Sequence, residues 1–241
     1  MLDHIPILDP AECERATAQV AGLRHHWIPR GPAPTSFFTL GVASYQDLSE
    51  APPWPRPDYY QDAPRFNALI LQHLGWLLER VRASLEGFLG APTRFSERLG
   101  VPGFHIFGDA SIPRTDTASI HCDLQYQLID WNDGEAPPDF ASAMSFTLPT
   151  RLPQGGGGLN GWDLTSEEIG DTMQRHGVST MEQVVQFKSK TFYPYACGAM
   201  VVHSGGRVHQ IGPSRDVQPG DQRITLQGHG LRRGAEWLLY W

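Results

Sequence analysis

His121 and Asp123 stand two residues apart in Ile120-His121-Cys122-Asp123-Leu124. On a strand, residues i and i+2 share a face, so this imidazole and carboxylate can grip one ion together. A third ligand must come from elsewhere, and the stretch Gly198 to His209 offers His203 and His209. Gly205-Gly206 forms a turn that would deliver His209 back to the ion, so His209 is preferred and His203 is its rival. Two imidazoles and one carboxylate on one side of a metal leave the other positions open, which suits iron(II) oxygen chemistry. A closed structural zinc site would want four protein ligands, typically with thiolates. Fourteen residues after His209, Arg223-Ile224-Thr225 places a guanidinium and a hydroxyl on one strand face. A guanidinium takes a carboxylate through two parallel hydrogen bonds, and a neighbouring hydroxyl can add a third. Arg207 and Arg215 compete for that role, but Arg215 lies in an apparent loop between Pro213 and Asp216.

A lone His-x-Asp arises often by chance, and its rival reading is an incidental polar pair on a surface strand. The combination in order is more specific. It resembles the iron(II)/2-oxoglutarate dioxygenase superfamily, whose pattern is His-x-Asp, a distal His, then Arg-x-Ser or Arg-x-Thr. Ser145-Phe146-Thr147-Leu148-Pro149 followed by Gly155-Gly156-Gly157-Gly158-Leu159 looks like the strand and glycine-rich turn that these enzymes place between the two histidines. The resemblance covers roughly residues 100–230. It implies a double-stranded β-helix, or jelly roll, with iron(II) on His121, Asp123 and His209. It further implies 2-oxoglutarate anchored by Arg223 with Thr225, and oxygen as the third reactant. Gln125 continues the face of His121 and Asp123 and could touch co-substrate or substrate. The implied reaction converts 2-oxoglutarate to succinate and carbon dioxide while a substrate C–H bond is hydroxylated or desaturated. Related halogenases carry a small residue where this chain has Asp123, so chlorination is not expected.

The elements that position these residues follow from pattern. Asp9-Pro10-Ala11-Glu12 is a helix start, with an Asp cap, Pro at the first position and Glu three residues on; that helix runs to about Leu23. Phe66, Leu69, Ile70, Leu74, Leu77, Leu78, Val81, Leu85 and Phe88 keep an apolar face at helical spacing over 65–89. Ser36 to Gly41 reads as a short strand, and Ala51 to Pro57 as a proline-bound loop. Beyond Pro102, strands are expected at 103–107, 119–128, 143–148, 191–195, 199–203 and 223–227, with Gly, Pro, Asn and Asp between them. Capping boxes at Thr165 and Thr180 place a helical insertion at about 159–190. The glycine run 155–158 lacks the Lys-Ser/Thr ending of a phosphate loop and is read as a flexible turn. The expected whole is mainly β with flanking helices. It forms a single domain over 1–241, a helical N-terminal elaboration over 1–100 preceding a jelly-roll core over 101–241. His105 lines the pocket or is a satisfied core histidine, and Trp162 caps the pocket or is simply core.

With 26 acidic against 19 basic residues the chain carries a net charge of −7, which repels phosphate backbones and argues against nucleic acid. Three scattered cysteines form no disulfide framework, and the start Met1 to Pro6 lacks the pattern of a signal peptide. A cytoplasmic enzyme with no membrane association is expected. Its substrate would be a small molecule such as an amino acid or specialised metabolite, with a peptide remaining open. Two rivals stay in play. One is a cupin-like metal enzyme needing no 2-oxoglutarate, which would not require Arg223 and Thr225. The other is a non-catalytic β-sandwich binding module.

Overall fold

The computed structural model describes residues 2–49 and 55–241. Twelve strands, five α-helices and three short 3-10 turns follow one another among these residues. The strands are β1 (Leu2–Pro6), β2 (Ile28–Pro29), β3 (Phe37–Leu40), β4 (Thr93–Phe95), β5 (Gly103–Gly108), β6 (Asp139–Arg151), β7 (Gly158–Thr165), β8 (Lys190–Pro194), β9 (Ala199–Ser204), β10 (Arg207–Gly212), β11 (Gln222–Arg233) and β12 (Glu236–Tyr240). The helices are α1 (Pro10–Gly22), α2 (Ser44–Asp47), α3 (Tyr59–Leu89), α4 (Ser166–His176) and α5 (Met181–Val184). A nine-stranded sheet runs β1-β9-β6-β11-β5-β3-β2, with β12 pairing both β11 and β4; a second sheet runs β10-β7-β8. All these pairings are antiparallel except β12 with β4.

The large sheet has two faces of opposite chemistry, set by the period of two along each strand. Phe104 and Ile106 of β5, Met144, Phe146 and Leu148 of β6, Met200 and Val202 of β9, and Ile224 and Leu226 of β11 form one core with α1 and α3. The alternate residues His105, Phe107, Ser145, Thr147, His203, Arg223, Gln227 and His229 line a cavity on the other face. Ile70, Leu74, Leu77, Leu78, Val81 and Leu85 of α3 have no accessible surface, and each such burial contributes about 1.5–3 kcal/mol. The two N-terminal helices therefore serve as the backing that holds the cavity-bearing strands in register. The second sheet packs outward through Trp162, Leu164 and Val208 on Val184 and Val185 and the inner faces of α4 and α5. Trp162 belongs to this core and does not line the cavity.

Several expected elements form with shifted bounds. The capping box at Asp9 is complete: the Glu12 amide donates to Asp9 Oδ1 at 2.8 Å, and the Asp9 amide donates to Glu12 Oε2 at 3.1 Å. Those at Thr165 and Thr180 start α4 and α5. The long helix begins at Tyr59 rather than 65, because Asp58 caps it and Pro64 sits inside. The bond lost at Pro64 is offset by burial of Tyr59, whose hydroxyl donates to the Trp241 carbonyl at 2.6 Å. The expected loop at 51–57 lies outside the described residues at 51–54, and 55–57 carry no regular structure.

Three expectations are corrected. Residues 1–100 are not only a helical elaboration: among the described residues they supply β1, β2, β3 and β4 to the large sheet. The insertion at 159–190 opens with β7, not a helix, and the glycine run leads straight into that strand. Gly158 is needed there because a Cβ would lie 2.2 Å from the Tyr193 carbonyl of β8. No continuous strand spans 119–128. That segment makes an isolated bridge between His121 and His209, then a 3-10 turn over Gln125–Leu128. No helix among the described residues is long and apolar enough to cross a membrane.

Candidate metal centre and co-substrate cavity

His121 and Asp123 are held by backbone bonds on both sides of the turn at Gly205-Gly206. The His121 amide donates to the His209 carbonyl at 2.9 Å, and the His209 amide donates back at 2.8 Å. The Asp123 amide donates to the Gly205 carbonyl at 2.8 Å. This clamp replaces the strand face expected at 119–128 and points both side chains the same way. The turn joins β9 of the large sheet to β10 of the small one, so His209 arrives from the opposite sheet.

One ligand atom from each of His121, Asp123 and His209 lies within 4.8 Å of the other two. His121 Nε2 is 3.7 Å from Asp123 Oδ1, and His209 Nε2 is 3.5 Å from Asp123 Oδ2. Each imidazole is tied by its other nitrogen: His121 Nδ1 sits 3.0 Å from the Ser119 carbonyl, and His209 Nδ1 2.9 Å from the Arg207 carbonyl. A carbonyl only accepts, so Nδ1 carries the hydrogen and the Nε2 lone pair is free for a metal. His203, the rival, lies beside this group with its ring 4.7 Å from that of His209. Its Nδ1 is tied to the Ser204 carbonyl, and it is not part of the three-residue cluster.

The electrostatics favour an ionised Asp123 and disfavour protonation of the buried His209 and His229. Burial opposes ionisation of Asp123, but His209, His229, His121 and His203 outweigh it and hold the carboxyl well below its ordinary range. Burial pushes His209 down to about 3 and His229 to about 4. Burial, then the charge of Arg223, likewise keeps His105 well below its usual value.

The cavity beside this cluster encloses about 570 Å3. Arg223 lines it and is 1% exposed. Its Nε and Nη1 reach no acceptor, and its side chain makes no ion pair among the described residues. Another buried guanidinium, that of Arg30, provides a contrast. Arg30 reaches Asp47 through Nη1 at 2.5 Å and Nη2 at 2.8 Å and donates from Nε to Thr39 at 2.8 Å. A buried charge without a partner is costly, and Arg223 is free to pair with an anion in the cavity. Tyr195 and Phe107 flank it, each ring 5.6 Å from the guanidinium carbon. Arg215, the competitor, is exposed on the loop after β10.

Thr225 shares the strand face of Arg223 but is fully buried and does not line the cavity. Gln227 Nε2 donates to it at 3.5 Å. The hydroxyls that line the cavity with Arg223 include those of Tyr195, whose ring flanks the guanidinium, and Thr147, on segments that sequence spacing does not tie to Arg223. Gln125 lines the cavity, but from a 3-10 turn rather than from an extension of the His121 strand. His105 also lines it, hydrogen-bonded to the Tyr45 hydroxyl. Tyr45 was missed in the sequence, as it rides on the four-residue α2, which the Arg30–Asp47 pair pins to β3. His229, hydrogen-bonded through Nδ1 to Ser145 at 3.0 Å, was missed because Gly228 and Gly230 break the strand pattern.

No family model and no curated protein matches the sequence. Solved structures do. The chain superposes on an N-substituted L-amino acid dioxygenase from Burkholderia ambifaria with a TM-score of 0.59 at 12% identity, covering 99% of this chain and 85% of that one. The complex of that enzyme with α-ketoglutarate gives 0.58 over the same shares at 12% identity. The α-ketoglutarate-dependent epimerase SnoN from nogalamycin biosynthesis gives 0.51 at 12% identity, covering 96% of this chain and 78% of that one. The fold is that of the iron/2-oxoglutarate oxygenases. In this fold the jelly-roll core consists of the two sheets described above, and their shared mouth is the cavity that holds His121, Asp123, His209 and Arg223.

Proposed function

We propose that this protein is a non-haem iron(II) oxygenase that couples 2-oxoglutarate decarboxylation to hydroxylation or desaturation of a C–H bond in a small molecule. The observation that carries the reading is the pairing, in one cavity, of a three-ligand cluster with a buried guanidinium that lacks an anion. The donor set fits the ion: two Nε2 lone pairs and one carboxylate, with the remaining coordination positions free for small ligands. A metal site alone would serve a cupin-like enzyme equally well; the unpaired Arg223 favours a dicarboxylate co-substrate over that rival and over a mere binding module.

In this reading His121, Asp123 and His209 hold the iron, and the Nδ1 tethers to Ser119 and Arg207 fix the two rings. Arg223 takes the distal carboxylate of 2-oxoglutarate, and Tyr195 shields that pair from water. Bound iron(II) would let dioxygen, the oxidant, oxidise both 2-oxoglutarate, to succinate and carbon dioxide, and the substrate C–H bond. Asp123 keeps the third protein ligand in place, so no position is reserved for chloride. Fold neighbours include an amino acid dioxygenase and an epimerase, so the oxidative outcome must be read from product mass. The test is a substrate screen with iron(II), ascorbate and 2-oxoglutarate that follows succinate. Substrate-stimulated succinate with a non-chlorinated product supports the reading. Turnover that is indifferent to 2-oxoglutarate would move the protein to the cupin-like class.

A further inference from the structure

Among the described residues lining the cavity, Asp123 and Arg223 are the only Asp, Glu, Lys or Arg. On the proposed function, on which this inference rests, the first is committed to iron and the second to 2-oxoglutarate. The rest of the lining carries no carboxylate, ammonium or guanidinium; it is made of aromatic, aliphatic, histidine, hydroxyl and carboxamide side chains. Phe37 lies flat on Phe107, ring centroids 4.3 Å apart and 8° from parallel. Tyr45 stands beside them on α2, and Gln46, Gln125, Gln127 and Gln227 supply the carboxamides.

Gln125 is the informative member. It is 6% exposed, it lines the cavity, and its side chain makes no hydrogen bond among the described residues. A carboxamide offers two donors and an acceptor on one plane, and neither end of Gln125 is among the enclosed polar atoms without a partner, so both are open to a molecule in the cavity. A carboxylate can only accept and an ammonium can only donate, so neither satisfies it. A hydroxyl, lactam or amide does both. A zwitterionic amino acid would also have to desolvate two charges with no opposite charge left to meet them.

We infer that the substrate is an uncharged cyclic molecule, seated against Phe37 and Tyr45, with a hydroxyl or amide group held by Gln125. This narrows the small-molecule class and sets the protein apart from enzymes of the same fold that act on amino acids.

The test uses protein loaded anaerobically with iron(II) and 2-oxoglutarate and three probes of one shape, followed by calorimetry. The probes are the neutral 2-naphthol, the anionic 2-naphthoate and the cationic 2-naphthylmethylammonium. The neutral probe is expected to bind at least tenfold more tightly than either ion. Gln125→Ala should weaken it severalfold, and Gln125→Glu should shift the preference to the cation. Equal binding of all three, tighter binding of an ion, or no binding of any probe to protein that has taken up 2-oxoglutarate overturns the inference. Failure of the wild type to take up 2-oxoglutarate at all overturns the proposed function instead.

Discussion

Replacing Arg223 separates co-substrate binding from the rest of the site. The guanidinium is 1% exposed, and two of its nitrogens have no acceptor. In the complex it would form a buried charge pair with the distal carboxylate of 2-oxoglutarate. Removing one partner of such a pair costs about 3–5 kcal/mol. At 1.4 kcal/mol per tenfold, Arg223→Ala should weaken 2-oxoglutarate binding by roughly two to nearly four orders of magnitude. Arg223→Lys keeps the charge but not the planar fork, and should fall between. Tyr195→Phe removes one hydroxyl and should cost about 1 kcal/mol, whereas Thr225→Val, behind the cavity wall, should change little. The free protein should respond in the opposite sense. Arg223→Met removes an unpaired buried charge, so without co-substrate its melting temperature should equal or exceed that of the wild type, while 2-oxoglutarate no longer raises it. Dissociation constants come from calorimetry on anaerobic iron(II) protein, and melting from scanning calorimetry with and without 2-oxoglutarate. If Arg223→Ala bound 2-oxoglutarate like wild type while Arg215→Ala did not, the anchor would be Arg215 and the reasoning from burial would fail.

His121→Ala and Asp123→Ala should lose iron on metal analysis yet keep near wild-type circular dichroism, because His121 is 41% and Asp123 17% exposed in their side chains and neither builds a core. His203→Ala should retain far more iron than His209→Ala; the reverse order would make His203 the third ligand. Gly205→Ala places a Cβ 2.9 Å from the Asp123 carbonyl, so the loop carrying Asp123 must shift, and iron affinity should drop severalfold while the fold persists. Acid should destabilise the metal-free protein before the carboxylates titrate. His229 is depressed from its ordinary 6.5 to about 4, so between these values the unfolded chain binds the extra proton and stability falls as pH falls. Moving from pH 7 to 5 should cost about 2 kcal/mol from this group, and His229→Gln should flatten that part of a denaturation–pH curve.

The candidate cluster was legible because its residue types and order are unusual: His121, Asp123, His209 and Arg223 line one cavity. The helices were legible where capping boxes and an apolar stripe announced them, at Asp9, Thr165 and Thr180 and along α3. What the sequence hid has a common cause. β7 and the second half of β11 are interrupted by glycines that are there for close packing: a Cβ at Gly228 would lie 2.4 Å from the Phe146 ring. Glycine reads as a turn in isolation and as room for a neighbour only in the fold. Strand alternation places Thr225 on the face of Arg223, yet only the fold shows that Tyr195, just past β8, and Thr147 of β6 line the cavity with the guanidinium. The His-x-Asp geometry is reached by three backbone bonds to Gly205 and His209 rather than by the strand that its spacing suggested.

The most direct measurement is a titration of 2-oxoglutarate into anaerobic protein reconstituted with iron(II), followed by visible absorption. A metal-to-ligand charge-transfer band should grow to saturation at one equivalent of iron per chain, and should be absent from His121→Ala and Asp123→Ala. A protein that binds iron but stays colourless with 2-oxoglutarate, or a band that survives both substitutions, would contradict the assignment of this cavity as an iron(II)/2-oxoglutarate site.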